Sequence, residues 1–310
     1  MIKVGLIYGG KSFEHAVSMM TAGSIWKNID RRQFAVTKIY IDKKGNLNEK
    51  LLDDIDVAFL AVHGPNCEDG RLQEFLEKRG IKYTGSRVNA SRLNMDKIKM
   101  HQIFQKANLK TVAFLGFNKQ QKIDLVVEKI IKEIGFPCFV KPNNTGSSMG
   151  VAKVATPKGL VAAIKKAFCY DHKIIVEKTV IQPREIEVAI LDNQKLVVSE
   201  PGEILTNGQV YSYQKKYFKP FATAIKANLP KTIISKIKKM AEKAYRATGC
   251  RGYARVDFFL DQNNQVYINE INTLPGFTEI SMFPKIMMAT GISYQNLITK
   301  IIQLALDKGW

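Results

Sequence analysis

The sequence predicts an α/β protein, on three observations. A near-continuous apolar run, VGLIYGG, ends in paired glycines and gives way to the helical pattern AVSMMTAGSIWKNI, the strand, turn and helix that open an α/β layer. A second apolar run, DVAFLAVHG, is again followed by a loop and a helical stretch ending in EFLEKRG. Nearer the C-terminus, YARVDFFL and QVYINEI flank Asn263 and Asn264, so part of the chain is hairpin-built and reads as α+β.

At 310 residues the chain has room for two or three domains, and 45% hydrophobic with 24% charged residues is ordinary for a soluble globular protein. No apolar run approaches the ~20 residues of a bilayer span. The first residues enter a strand pattern directly, with no small-residue cleavage site, so no membrane partner and a cytoplasmic setting are expected. Cys67, Cys138, Cys169 and Cys250 are widely spaced, without a CxxC pair or a histidine at ligand spacing, which argues against zinc and disulfides. The formal charge of +19 invites a nucleic-acid reading. Its lysines, however, are spread along helical segments such as PKTIISKIKKMAEKAYRATG without interleaved aromatics, so no nucleic-acid partner is expected. An anionic nucleotide substrate accounts for part of the charge.

In chain order, Gly5, Gly10, Lys11 and Ser12 satisfy the P-loop pattern GxxxxGK[ST]. Leu6, Ile7 and Tyr8 are strand formers that continue the run from Ile2, so a phosphate-wrapping loop is not expected there. Glu14 follows at the start of a helix, either complementing the helix dipole or pairing with a substrate ammonium. FAVTKIYID and DVAFLAVHG are further strands. The loop after the latter carries His63, Glu68 and Asp69 at the carboxyl edge of the sheet, where ligands bind in such layers.

Gly, Ser and Asn cluster in YTGSRVNASRLNMDK, and a boundary is expected there. KIKMHQIFQKANL and IDLVVEKIIKEIG are helical, and the next strand ends at Lys141. A loop with Thr145, Gly146, Ser147, Ser148 and Gly150 then offers backbone N–H donors suited to phosphates. PKGLVAAIKKAFCY is helical. KIIVEK is a strand ending near Glu177, REIEVAIL carries Glu185, and LVVSEPGEIL is read as one strand. The long polar segment after it, containing Lys216 and Tyr217, has the length of a functional lid.

The hairpin carries the sharpest chemistry. If Asn263 and Asn264 form a type I′ turn, 262 faces 265, so Asp257 faces Glu270 and Arg255 faces Asn272. With side chains alternating, all four project from one face, with cross-strand neighbours roughly 5 Å apart. Two opposed carboxylates beside an amide form a hard-oxygen set suited to Mg²⁺, which completes its octahedron with water and substrate phosphates. An exposed, solvated hairpin is the alternative, but Asp257 and Glu270 interrupt strands that otherwise read as buried.

Nine segments in order, GGKSFEHAVS, HGPNCEDG, YTGSRVNASRLNMDK, VKPNNTGSSMGV, EKTV, REIEV, SYQKKY, GYARVDF and NEINTLPGFTEISMFP, resemble the D-alanine–D-alanine ligases of the ATP-grasp superfamily. The resemblance runs the whole chain and implies three domains, 1–95, 96–180 and 181–310, with ATP between the second and third. It implies ATP contacts from Lys97, Lys141, Ser148, Glu177, Lys178, Val180 and Glu185. It implies two Mg²⁺ ions, replaceable by Mn²⁺, on Asp257, Glu270 and Asn272. Glu14, linked through Ser147 to Tyr217, matches the residue that receives the first D-alanine, and His63 joins that substrate site. Arg255 and the Gly276 N–H match the oxyanion donors, Ser281 and Met282 the site of the second carboxylate, and Lys216 a lid lysine.

The activity implied is ATP-dependent ligation of two D-alanines through an acyl phosphate, supplying peptidoglycan precursors, in a homodimer. Rivals are a ligase taking D-lactate or D-serine second, which Tyr217 disfavours, and a non-catalytic nucleotide- or nucleic-acid-binding protein. The sequence departs from the family pattern at Ala16, Cys67, Asn144 and Thr145, none of them a catalytic group.

Overall fold

The structure, a computed structural model that describes residues 1–193, 195–206 and 221–307, begins with β1 (Ile2–Gly9), α1 (His15–Asn28), β2 (Phe34–Ile41), β3 (Val57–Val62), α2 (Arg71–Lys78) and β4 (Lys82–Tyr83). The strands form a parallel sheet in the order β2-β1-β3-β4. β3 reads VAFLAV because it is buried at every position, as a strand covered on both faces must be. β1 runs straight through Gly5, where an added Cβ would meet Ile55 at 2.7 Å and Ile39 at 2.8 Å. The P-loop pattern is therefore a coincidence of strand residues.

The expected boundary at YTGSRVNASRLNMDK contains a helix, α3 (Val88–Met95), followed by α4 (Lys97–Lys106). Asn94 donates back to the Ala90 carbonyl at 2.9 Å, which keeps its amide inside the helix. Asp96 caps α4 by accepting from Lys99 N–H at 3.1 Å. β5 (Phe114–Asn118), α5 (Ile123–Glu133), β6 (Cys138–Pro142), β7 (Ala152–Val154), α6 (Leu160–Phe168) and β8 (Lys173–Lys178) come next. Their sheet is antiparallel in the order β5-β8-β6-β7, and α5 and α6 pack on it through Val126, Ile130, Leu160 and Ile164.

The third sheet contains β9 (Arg184–Asn193), β10 (Lys195–Val198), β11 (Gly202–Ile204), β12 (Thr223–Ala224), β13 (Tyr253–Leu260) and β14 (Val266–Asn272). Its order is β12-β11-β9-β13-β14, with β10 also pairing β9. The stretch LVVSEPGEIL is two strands, not one. Pro201 has no N–H for a ladder, and at the break Ser199 Oγ accepts from Ala189 N–H at 2.9 Å. Helix α7 (Lys231–Ala247) covers this sheet together with Met100 and Phe104 of α4. The chain ends in α8 (Met282–Ala289) and α9 (Tyr294–Leu306), whose apolar faces return to the core of the first sheet. Tyr294 O–H donates to the Phe277 carbonyl and lies 2.8 Å from Ser24 Oγ of α1, tying the last helix to the first.

The β13–β14 hairpin reaches the expected pairing by a different route. Its loop is three residues, 262–264, with Asn264 left-handed at φ 57° and Asp261 N–H donating to Gln265 O at 3.1 Å. Leu260 therefore faces Val266, one step away from the pairing that a two-residue turn would give. A bulge at Asn269 then returns the lost residue, so that Asp257 faces Glu270 and Arg255 faces Asn272. The type I′ turn is thus corrected, while the pairing at the site stands. The bulge also explains the pattern of β14: Val266 and Ile268 are buried, and so is Ile271, three rather than two positions on. Without it, Glu270 would have pointed into the core.

Candidate active site

A cavity of about 400 Å³ opens between the carboxyl edge of the first sheet and the facing surfaces of the other two. Among the described residues it gathers Glu14 and His63 from the first sheet's loops, and Lys97, Lys141, Ser147, Ser148, Glu177, Lys178 and Val180 from the second sheet and α4. Glu185, Arg255, Asp257, Glu270, Asn272, Gly276, Ser281 and Met282 reach it from the third sheet and the segment leading into α8. Lys216 and Tyr217 lie outside the described residues.

Glu14 precedes α1 and is 5% exposed. Ser147 Oγ donates to its Oε1 across 133 residues of sequence. Two glycines make room for this carboxylate: a Cβ on Gly64 would meet Oε2 at 2.5 Å, and one on Gly146 at 3.0 Å. Ser12 Oγ accepts from the Glu14 N–H at 3.1 Å and donates to the His63 carbonyl at 2.6 Å, joining the two loops. His63 is buried. Its Nδ1 lies 3.3 Å from Glu68 Oε1, and its Nε2 lies 2.9 Å from the Thr21 hydroxyl. Cys67, on the same loop, has its thiol pushed up to about 12 by burial and then by the nearby carboxylates of Glu68, Asp69 and Glu14, so it is an inert filler.

The second sheet supplies cations and a glycine-serine loop. Lys97 Nζ donates to the Thr145 carbonyl at 2.6 Å, and Asn143 Oδ1 accepts from Ile98 N–H at 2.9 Å, which anchors the loop to the start of α4. Ser147 and Ser148 follow with φ of 50° and 59°, a left-handed pair that L residues adopt at a cost. On the adjacent strands β6 and β8, Lys141 Nζ donates to Glu177 Oε2 at 2.6 Å, with the carboxylate buried and the lysine largely so. Burial opposes the charge on each. The partner outweighs it, so the lysine is held above and the carboxyl below its ordinary range. Glu177 Oε1 is 3.6 Å from His101 Nε2, and burial keeps that imidazole below its ordinary pKa despite the neighbouring carboxylate.

On β13, Arg255 forms a bidentate pair with Asp257, Nε to Oδ1 at 2.7 Å and Nη2 to Oδ2 at 2.8 Å. Asn272 Nδ2 also donates to Asp257 Oδ2, at 3.0 Å. Ser281 stands at the start of α8, with its Oγ 2.8 Å from Thr278 Oγ1 and 2.9 Å from where a Cβ on Gly276 would lie. Sequence reasoning missed two residues here. Glu187, buried on β9, reaches Arg255 Nε at 3.1 Å. It stands two positions after Glu185, so strand alternation could have placed it on the same face. His101 is four positions after Lys97 on α4, hence on the same helix face.

Comparison with known proteins decides the family. Residues 3–51 and 46–86 match the family described as D-ala D-ala ligase N-terminus, and residues 103–303 match D-ala D-ala ligase C-terminus.

The chain belongs to the D-alanine–D-alanine ligase family.

It is 39% identical to a D-alanine–D-alanine ligase of Shouchella clausii, over 99% of this chain and 95% of that protein. It is equally identical to one of Caldicellulosiruptor bescii, over 99% and 96%. The solved D-alanine–D-alanine ligase of Coxiella burnetii superposes with a TM-score of 0.88 at 29% identity, covering 99% of this chain and 94% of that one. The VanG D-Ala:D-Ser ligase of Enterococcus faecalis gives the same TM-score and identity, over 98% and 99%. The fold is accordingly the ATP-grasp fold, in agreement with the α/β expectation. No helix among the described residues is long and apolar enough to cross a membrane.

Proposed function

We propose that this chain ligates two D-alanines to D-alanyl-D-alanine with ATP, through an acyl phosphate, for peptidoglycan precursor synthesis. The observation that carries this reading is the convergence, in one cavity, of a caged carboxylate, a basic glycine-serine loop and a carboxylate-amide-arginine hairpin. The family uses ATP and a divalent cation. The donor set here suits such a cation: Asp257, Glu270 and Asn272 offer hard oxygens from one sheet face. They are too few for an all-protein cage, as Mg²⁺ with a nucleotide prefers. We assign two Mg²⁺ to them, with Mn²⁺ able to substitute, screening charge and fixing the phosphate geometry when bound.

The remaining steps belong to the chain's own residues. Glu14, held by Ser147, pairs with the ammonium of the first D-alanine, with His63 beside it. Lys97, Lys141, Lys216 and the Ser148 loop bind the phosphates. Glu177, Lys178 and Val180 take adenine, and Glu185 the ribose. Screening by these cations lets the first carboxylate attack the γ-phosphorus in line, forming the acyl phosphate as the bond to the bridging oxygen breaks and ADP leaves. Ser281 and Met282, at the N-terminal end of α8, bind the second carboxylate, since helix N-termini favour anions. Attack by the second amine builds an oxyanion that Arg255 and the Gly276 N–H stabilise, a kind of contact whose removal costs roughly 3 kcal/mol in other enzymes; its collapse breaks the C–O bond to phosphate, which leaves with the amine's proton as the dipeptide forms. By the family resemblance, Tyr217 is assigned to the same Glu14–Ser147 relay. ATP lies between the segments 96–180 and 181–310, with 1–95 presenting the first substrate.

The test is to incubate the pure protein with ATP, Mg²⁺ and D-alanine, measuring phosphate and dipeptide, with D-lactate, D-serine and L-alanine in parallel. Equal phosphate and dipeptide with D-alanine is expected. Preference for D-serine as second substrate would move the assignment to the other ligase specificity among its structural relatives, and no phosphate would refute it. Homodimer formation is tested by light scattering, where a mass of 35.0 kDa, that of one chain, would count against it.

A further inference from the structure

We propose that Glu187 is a positioning residue for ligation: it keeps Arg255 in place when Asp257 turns towards a divalent cation. This rests on the roles given above to Arg255 and Asp257. On β13, Asp257 faces Glu187 of β9 on one side and Glu270 of β14 on the other, so three carboxylates form a row across three strands. Neighbours in such a row are roughly 5 Å apart. Arg255 comes from the same face of β13; its Nε donates to Asp257 Oδ1 at 2.7 Å and stands in ion-pair contact with Glu187 Oε2 at 3.1 Å.

Asp257 therefore carries two demands. Both its oxygens accept from Arg255, and one accepts from Asn272 as well. The same oxygens are the ones a cation needs. A cation and a guanidinium on one carboxylate repel each other, and turning Asp257 towards the cation weakens its bonds to Nε and Nη2. The Nη2 edge is then released towards substrate, while the Glu187 carboxylate, 3.1 Å from Nε, still attracts the guanidinium. A guanidinium without that charge beside it would drift, and misplacement by about 1 Å can cost on the order of 10²-fold in rate.

Glu187 is set against the arginine rather than with the cation ligands. Among the described residues, no three His, Cys, Asp or Glu side chains converge on a common cation position. Its neighbours Ile186 and Val188 point into the core of the third sheet, while Glu187 lines the cavity at 4% exposure. A carboxylate so buried requires a charged partner, and a residue needed only for packing would be apolar here.

The experiment uses the full chain as wild type, Glu187→Ala and Glu187→Gln. Two quantities are read: dipeptide formed per phosphate released, and Mn²⁺ binding to the ADP complex by electron spin resonance, which needs no turnover. In Glu187→Ala, dipeptide per phosphate should fall below about half the wild-type ratio, and the dipeptide rate about 10- to 100-fold. Mn²⁺ affinity should stay within about threefold. Glu187→Gln, which keeps the shape and polarity of the side chain but loses its charge, should be intermediate. A wild-type ratio at reduced rate in both variants would reduce Glu187 to a structural residue and overturn the proposal. A tenfold or greater loss of Mn²⁺ affinity would overturn it in favour of a third cation ligand. Absence of dipeptide from the wild type would instead refute the ligase reading and this proposal with it.

Discussion

Replacing Lys141 by methionine removes the cation that holds Glu177 ionised inside the second sheet. The pair is 2.6 Å long, with side-chain exposures of 15% and 4%, and the next cationic candidate is His101 at 3.6 Å from the other oxygen. Methionine keeps most of the volume, so the loss is electrostatic. Breaking a buried pair by deleting one partner costs ~3–5 kcal/mol, whereas replacing both partners is often near neutral. At about 2 °C per kcal/mol for a chain of this size, the melting temperature of the ligand-free protein should fall by roughly 6–10 °C. Adding Glu177→Gln should restore a large part, with a coupling of ~2–3 kcal/mol in the double-mutant cycle. The deficit should also depend on pH. Without Lys141, burial raises the Glu177 pKa above its unfolded value, so the folded variant takes up a proton first and the deficit shrinks as pH falls from 8 towards 5. Urea and thermal unfolding of the four proteins at both pH values measure this. A single variant within 1 kcal/mol of wild type at pH 8, or a double variant as unstable as the sum of the singles, would show that the pair is not coupled.

Three further outcomes are expected. Gly146→Ala places a methyl 3.0 Å from Glu14 Oε2, so the KM for the first amino acid should rise several-fold while ATP affinity, measured by calorimetry, changes little. Asn264→Gly should be within about 0.5 kcal/mol of wild type, but Asn264→Val should destabilise by ~1–2 kcal/mol because φ of 57° crowds its branched side chain, as denaturant midpoints would report. His101 is held neutral by burial, so as pH falls below 6.5 the unfolded chain binds a proton that the folded chain refuses, and stability drops by up to ~1.4 kcal/mol at pH 5.5. His101→Leu should flatten that part of the pH–stability curve, and an unchanged slope would place the acid sensitivity elsewhere.

The site was legible in the sequence wherever residue type and short-range spacing suffice. Carboxylates interrupting the apolar hairpin strands marked Asp257 and Glu270, and serines beside glycines marked the loop at 146–148. Gly5 separates from a P-loop glycine because strand formers come directly after it. Less legible were partners set by pairing between distant strands. Nothing in REIEV says that Glu187 will face Asp257 and reach Arg255, and nothing in KIKMHQIF says that His101 will face Glu177. The hairpin is instructive in another way: its turn differs from the expected one, and the pairing at the site holds because the bulge at Asn269 offsets the extra loop residue.

By itself, then, the sequence determined the alternation of apolar strands and helices, the residue types able to bind phosphate, cation and ammonium, and the family. These are local or additive properties: period, composition and order of motifs. Only the tertiary structure decided which charges meet. The Lys141–Glu177 and Arg255–Asp257–Glu187 contacts depend on strand order and register, and the cage around Glu14 depends on Gly64 and Gly146 arriving from separate segments. Electrostatic energies change with every ångström of separation and with burial. Pairing of this kind is therefore a property of the assembled sheets, which no spacing along the chain expresses.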